Sequence, residues 1–528
     1  MGSPAPASRR FGDRARSEWT RANPLALLGT ASVGALLVFF ALGRLGTGIA
    51  ELPRQGEATF GEAILYDHAA RIVRGDPLYQ PLDRPPYSVA AYTPLYYGLV
   101  AALQAVVGPA FWPGRLLSLL AGIAAATLIG RVTSRRAGSG WSGVFAGSLF
   151  LALGFAGRIP FFALYKEDTV GVALSLGAIA ALGGGRTPSR LVLAGILAAL
   201  AILTKQTFVA SALAGTAWLI RENRRQAWLF SGVWLGTVLG VFAAMELANG
   251  AFLANAFFAN AVPPRRDALL ENLQTLLQYQ MVPLILAAMY VVDRARSGER
   301  PLRDLLVLYW LASFLSLVGL ARPGSAHNYW IELAGSTSIL ATLTVWDHLG
   351  RRSLEPSRAA LPTLMLGANV CVLLYGLRSA VVPVKSFLLS RPKPEPEFAG
   401  LVERVRAEPR EVLADPPDVV VLAGRRNLLE LYFSAIRYIQ GKWDPAPFVT
   451  RICRGDVGLV VLRYRLDSDA RGVYQGYPYW PPPVLAALRE RMELSKEQAG
   501  RFLYVPAART GSSGAGPGGP CRDAATSR

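Results

Sequence analysis

Charge is scarce in this sequence. Only 17% of its 528 residues are Asp, Glu, Lys or Arg, against 52% hydrophobic residues. With a mean hydropathy of +0.31, that poverty excludes an ordinary soluble domain or a disordered chain and points to a polytopic membrane protein. Strand-like alternation is missing from the apolar runs, which are rich in Leu, Ala and Gly, so a transmembrane barrel is excluded and the spans read as helices. Cysteine is nearly absent. Cys371, Cys453 and Cys521 show no metal-ligand spacing, and the reading is that they neither staple a domain nor build a site. No dense group of carboxylates calls for a metal, so no cofactor is expected, although metal dependence stays open. A cleavable signal is not apparent either: the basic start, residues 1–24, leads into a long apolar run expected to be a retained first span.

The abundant charge is basic, with a formal net charge of +19. It falls in short arginine clusters between apolar runs, which orients spans rather than binding nucleic acid. Placing the N-terminus in the cytoplasm and following these clusters gives spans at Leu25–Leu45, Arg115–Gly130, Trp141–Gly157, Asp168–Gly184, Leu191–Thr204, Gln206–Ile220, Trp228–Ala248, Met281–Val292, Leu305–Ala321, Glu332–Leu349 and Leu361–Val382. The expected fold is an all-α bundle of about eleven transmembrane helices over residues 25–385. Pro94–Val107, flanked by tyrosines, is expected to lie in the interface; counting it as a span would push the later basic loops outside. After the proline-rich SRPKPEPE, residues 395–508 read as a small external α/β domain with DVVVLAG and DVGLVVLRYRL as buried strands, and residues 509–528 as a disordered tail.

This topology gathers the polar features on one side. They are the first loop, 46–93, with GEAILYDHAARIVRGDPLY; the loop RIPFFALYKED at 158–168; Lys205 and Gln206; the loop Asn249–Gln280; and RPGSAHNYWIE at 322–332. Ionisable groups at span ends are costly to insert, which marks them as functional candidates. The external cations are Arg158, Lys166, Lys205, Arg265, Arg266 and Arg322.

In order and sidedness, the first-loop stretch, PPYSVAAYTPLYY, Asp168 opening a span, LTKQT at 203–207 and HNYWIE at 327–332 resemble the GT-C superfamily of membrane glycosyltransferases, specifically its family 39-like members: protein mannosyltransferases, aminoarabinose transferases and Rgt-type bacterial enzymes. The resemblance covers about the first 350 residues. It implies transfer of a sugar from a polyprenyl-phosphate donor to a glycan, lipid or protein acceptor at the external face of a bacterial cytoplasmic membrane. A first-loop carboxylate would act as base in a direct displacement, with cations holding the departing phosphate. Carried over by position, Glu62 is the base with Asp67 as runner-up, and Asp168 completes the catalytic set. Lys205, Lys166 and Arg322 face the donor phosphate, and Tyr92, Gln206, His327, Asn328, Tyr329 and Glu332 contact substrate. Gly61 stands where the family has the first acid of a pair, so loss of activity stays open.

Simpler readings accompany these. Glu62 and Asp67 also suit the solvated face of an interfacial helix, paired with Arg71. Asp168 suits a helix start, Tyr87, Tyr92, Tyr96 and Tyr97 an interfacial aromatic belt, and Arg265 and Arg266 lipid phosphates. A lipid-linked saccharide carrier or a degenerate scaffold are the alternative functions, although no pair of pseudo-symmetric halves is evident.

Overall fold

The computed structural model describes residues 24–154, 161–259, 261–350, 361–369, 396–467, 472–474, 477–507 and 521. In chain order the longer helices are α1 (Pro24–Glu51), α2 (Glu62–Val73), α3 (Pro94–Val107), α4 (Trp112–Ala137), α5 (Gly140–Leu153), α6 (Asp168–Gly183), α7 (Pro188–Thr204), α8 (Ala210–Glu222), α9 (Arg224–Asn249), α10 (Arg266–Arg296), α11 (Leu305–Ser313) and α12 (Ile331–Gly350). Next come α13 (Pro396–Ala407), β1 (Glu411–Asp415), α14 (Asp418–Leu422), α15 (Leu431–Ile439), α16 (Ala446–Arg454) and β2 (Val457–Leu462). The chain closes with β3 (Val473–Tyr474), β4 (Tyr477–Pro478), α17 (Pro482–Arg491), β5 (Met492–Gln498) and β6 (Arg501–Pro506). They form two compact units, each built from three separated segments.

The first unit comprises Met1–Leu52, Arg115–Val241 and Pro264–Arg391. Among the described residues, four helices, α1, α4, α9 and α10, are long and apolar enough to cross a membrane. Outward-facing Leu28, Phe39, Leu42, Trp228 and Leu239 are exposed, a surface that lipid tails cover without cost. Inside, Leu37, Phe145, Leu149, Leu286, Val345 and Trp346 form one apolar cluster.

Several expected boundaries shift. The first span continues to Glu51. The stretch expected to be a loop up to Gln280 is helical from Arg266, because DALLENLQTLLQ is made of strong helix formers with Asp267 in the first turn, and α10 carries Pro283 within it. The span expected at Gln206–Ile220 contains only the 13-residue α8, and the one at Leu305–Ala321 changes from α11 to a 3₁₀ helix at Phe314. Of Leu361–Val382, residues 361–369 are helical and the rest lies outside the described residues, as do Cys371, Arg158 and most of the tail.

The second unit comprises Pro53–Gly114, Phe242–Pro263 and Pro392–Arg528. Its sheet has the order β1-β2-β6-β5, with β1 parallel to β2 and the other pairs antiparallel. All six residues of β2, VGLVVL, are buried, as a strand covered on both faces requires, while β5 presents an exposed, charged edge that discourages further pairing. DVVVLAG is helix α14 rather than a strand: its apolar run is too short for periodicity to discriminate, and it packs as one turn after β1. The first loop is stitched into this unit. Tyr87 donates its N–H to the Leu428 carbonyl (2.9 Å), its own carbonyl accepts from Glu430 N (2.9 Å), and its ring joins Trp443 and Phe448 in the core.

Cys453 and Cys521 are joined in a disulfide, which corrects the expectation that the cysteines staple nothing and ties one point of the tail to α16. A pairing across 68 residues leaves no local spacing to read. Closing that loop restricts the unfolded chain. Cys521→Ser is expected to cost roughly 2–4 kcal/mol, read as a lower unfolding midpoint by calorimetry; an unchanged midpoint would show that the bridge constrains nothing.

Candidate functional site

In the first unit, the loop before α6 presents Glu167 and Asp168, and α7 ends at Lys205. The Lys205 ammonium lies 2.9 Å from Glu167 Oε1 and 2.6 Å from Asp168 Oδ1, with all three side chains fully or almost fully buried. Asn328 donates its amide to both Asp168 oxygens, at 3.1 and 3.2 Å, and the Tyr329 ring sits 5.1 Å from the ammonium. One ammonium against two carboxylates leaves a formal excess of one negative charge. Glu167 Oε2 has no hydrogen-bond partner among the described residues.

The local chain explains this convergence. Both carboxylates sit at the N-terminus of α6, where its dipole favours negative charge. Ser118 Oγ donates to the Lys166 carbonyl (2.8 Å) and Thr169 Oγ1 to the Ser118 carbonyl (3.1 Å), fixing the loop on α4. Gly171 admits the Phe208 ring against α6 at a distance no Cβ could tolerate, which seats the Lys205–Phe208 turn. The helix after Lys205 begins only at Ala210, not at the lysine as the sequence suggested.

The structure thus joins Asp168, Lys205, Asn328 and Tyr329. Glu332 lies apart from that cluster, accepting hydrogen bonds from Ser175 and Tyr309 two turns further along α6. His327 meets the Phe161 ring edge-on and lies tilted against Trp330, while Lys166, Gln206 and Arg322 are half-buried. Arg265 is held by Asp267 at the start of α10, next to Arg266. Glu167, adjacent to the predicted Asp168, was legible in KED and overlooked. Among the described residues no group of three His, Cys, Asp or Glu side chains is placed to hold a metal ion.

In the second unit, the acidic helix α2 is buried rather than solvated: Glu62, Asp67, His68 and Arg71 are each 0 or 1% exposed. Glu57 accepts from Gly61 N (3.2 Å) and Ala63 N (3.0 Å) and so caps the helix start, while Glu62 accepts the Ala58 N–H at 2.6 Å and ties the preceding turn to it. Gly61 has φ +94, a left-handed conformation that explains glycine in place of the expected acid. Asp67 is ion-paired to Arg71 (3.4 Å) and Arg74 (3.6 Å) and accepts from Asn427 N, which gives it a structural part. Tyr87, Tyr96 and Tyr97 are buried, which takes these three out of the expected interfacial belt, and the half-buried Tyr92 receives the Tyr79 hydroxyl at its carbonyl. His68 Nε2 and Ser88 Oγ lie 2.7 Å apart, and Glu430 accepts from Val89 N (2.9 Å) and Ser88 (3.4 Å). Burial pushes the Glu430 carboxyl up to about 7, against weaker opposition from the Val89 hydrogen bond, and burial with Arg71 nearby holds His68 well below its usual value.

No protein-family model matches the chain, and no curated protein sequence does. Its fold, however, is similar to that of solved structures. Two crystal structures of ArnT from Cupriavidus metallidurans are similar to it, each with a TM-score of 0.57: the form bound to undecaprenyl phosphate, at 12% identity over 90% of this chain and 99% of that one, and the apo form, at 13% identity over 92% and 100%. The expectation drawn from the loop motifs is met at the level of fold.

Two measurements probe these groups. Lys205→Met leaves buried carboxylates without their counter-charge and is expected to cost about 3–5 kcal/mol, partly recovered in Lys205→Met/Glu167→Gln; equal midpoints for wild type and single variant would remove the ion pair from the account. For Glu430, the folded state holds a proton that the unfolded chain releases near pH 4.5, so its contribution to stability is present below that pH and is lost as pH rises through about 7. The stability gained by Glu430→Gln should therefore grow between pH 4.5 and 7 and level off above, as read by unfolding at stepped pH.

Proposed function

We propose that the chain is a glycosyltransferase that moves a sugar from a polyprenyl-phosphate-linked donor to an acceptor at the external face of the membrane. The observation that carries this reading is the buried group at the start of α6, in which Lys205 is gripped by Glu167 and Asp168 and bordered by Asn328 and Tyr329. It is supported by the similarity in fold to ArnT, which was crystallised with undecaprenyl phosphate. Lys205, positioned by Glu167 and Asp168, is the cation that takes a donor phosphate oxygen, and Asn328 fixes the Asp168 carboxylate beside it. Because the leaving group is already a phosphate, no general acid is needed. The acceptor hydroxyl needs only a base as the anomeric carbon gains oxocarbenium character.

Glu62 is assigned as that base. Its carboxylate is fixed by the Ala58 N–H, and Glu57 holds the same helix start, so the two acids replace the doublet that Gly61 interrupts. The disulfide suits an oxidising compartment, in keeping with an external position for the domain that carries it.

Glu62→Gln keeps an acceptor for the Ala58 N–H and removes the base. In proteoliposomes with radiolabelled polyprenyl-phosphate sugars, the variant should lose transfer about 10²-fold or more while still binding donor. Full transfer would end the assignment of Glu62, and donor crossing the bilayer without transfer in the wild type would favour a carrier.

A further inference from the structure

At the other end of α6 from Asp168, 16 residues and so about 24 Å away, the first unit contains a cavity of about 550 Å³. Arg135 and Arg136 from the end of α4, Arg186, Arg294 from the end of α10, and Arg300 and Arg303 line it, with Glu299 and Asp304 as its only acidic lining residues. Six guanidiniums against two carboxylates leave a formal excess of four positive charges. The carboxylates are already engaged: Asp304 by Arg136 (2.9 Å) and Glu299 by Arg294 (2.9 Å), which also reaches Asp347, while Arg186 pairs with Glu222 outside the lining. Arg135, Arg300 and Arg303 form no ion pair among the described residues. Like charges gathered from four separate segments repel one another unless an anion enters, and guanidinium forks match phosphate oxygens bidentately.

We propose that this cavity binds a phosphate-bearing anion, supplied by the headgroup of an anionic phospholipid. Two observations favour lipid over a soluble phosphate. The wall between the arginines is apolar, with Val132, Ile179, Leu182 and Leu306 beside the charges, which suits a glycerol backbone and the first acyl carbons. Trp218 lines the same wall with Arg186 4.9 Å from its ring centroid, an amphipathic pair suited to headgroup depth. Simple orientation of spans by basic loops requires neither a concavity nor an apolar wall.

The test uses the full-length protein in nanodiscs, exchanging phosphatidylcholine for phosphatidylglycerol at constant ionic strength and counting retained lipid by native mass spectrometry, with inorganic phosphate titrated separately. Arg135→Ala/Arg300→Ala/Arg303→Ala removes three exposed side chains that pair with no carboxylate. The variant should keep its unfolding midpoint in phosphatidylcholine and weaken phosphatidylglycerol retention at least about tenfold, and the triple lysine variant should recover part of it. Phosphate binding that the alanine variant loses, without any preference for phosphatidylglycerol, would support the anion site but overturn the lipid assignment. Equal retention of phosphatidylglycerol and equal phosphate binding by wild type and the alanine variant would overturn the proposal altogether.

Discussion

A buried ammonium held between two adjacent carboxylates organises the first unit. Removing Lys205, Glu167 and Asp168 from water is costly, and the cost is met only because the helix dipole of α6, the Asn328 amide and the short Lys205 contacts act together. Everything near it serves that geometry: Ser118 and Thr169 fix the preceding loop, and Gly171 lets Phe208 close over the helix. The arrangement stays one positive charge short of balance.

The second unit solves a different problem with similar means. A polar first loop is folded inward instead of being left in water, and the cost is offset by the Glu57 cap, the Glu62 contact, the Asp67 ion pairs and the Ser88–Glu430 contact. Asp418, buried and bidentate with Arg501, also receives the Glu57 N–H, so the helix start and the sheet share one polar node. The loop and the C-terminal segment are thus two halves of one core, with Tyr87 among its aromatic residues.

How much of this was legible depended on whether the signal was local. Hydrophobic runs gave α3 to the residue and α6 almost so, because length and flanking residues state a helix directly. The KED, LTKQT and HNYWIE stretches announced the members of the buried group, since ionisable residues at helix ends are rare in so apolar a chain. Glu57, Glu430 and the Cys453–Cys521 pair were silent, each owing its position to segments that pack hundreds of residues away or across a long closed loop. The burial of α2 was silent as well: its polar side chains read as solvated until Ala58, Leu78, Ser88 and the distant Asn427 supply their hydrogen bonds. DVVVLAG shows the complementary failure, an apolar run whose composition favours a strand and whose packing after β1 makes a single helical turn.

The left-handed backbone at position 61 reaches beyond this molecule. Searches keyed to an acidic doublet treat glycine there as decay, yet here the turn geometry itself selects against a side chain while an upstream glutamate supplies the second carboxylate. Carboxylates can thus converge at one helix start in three dimensions where a linear pattern of acids is interrupted.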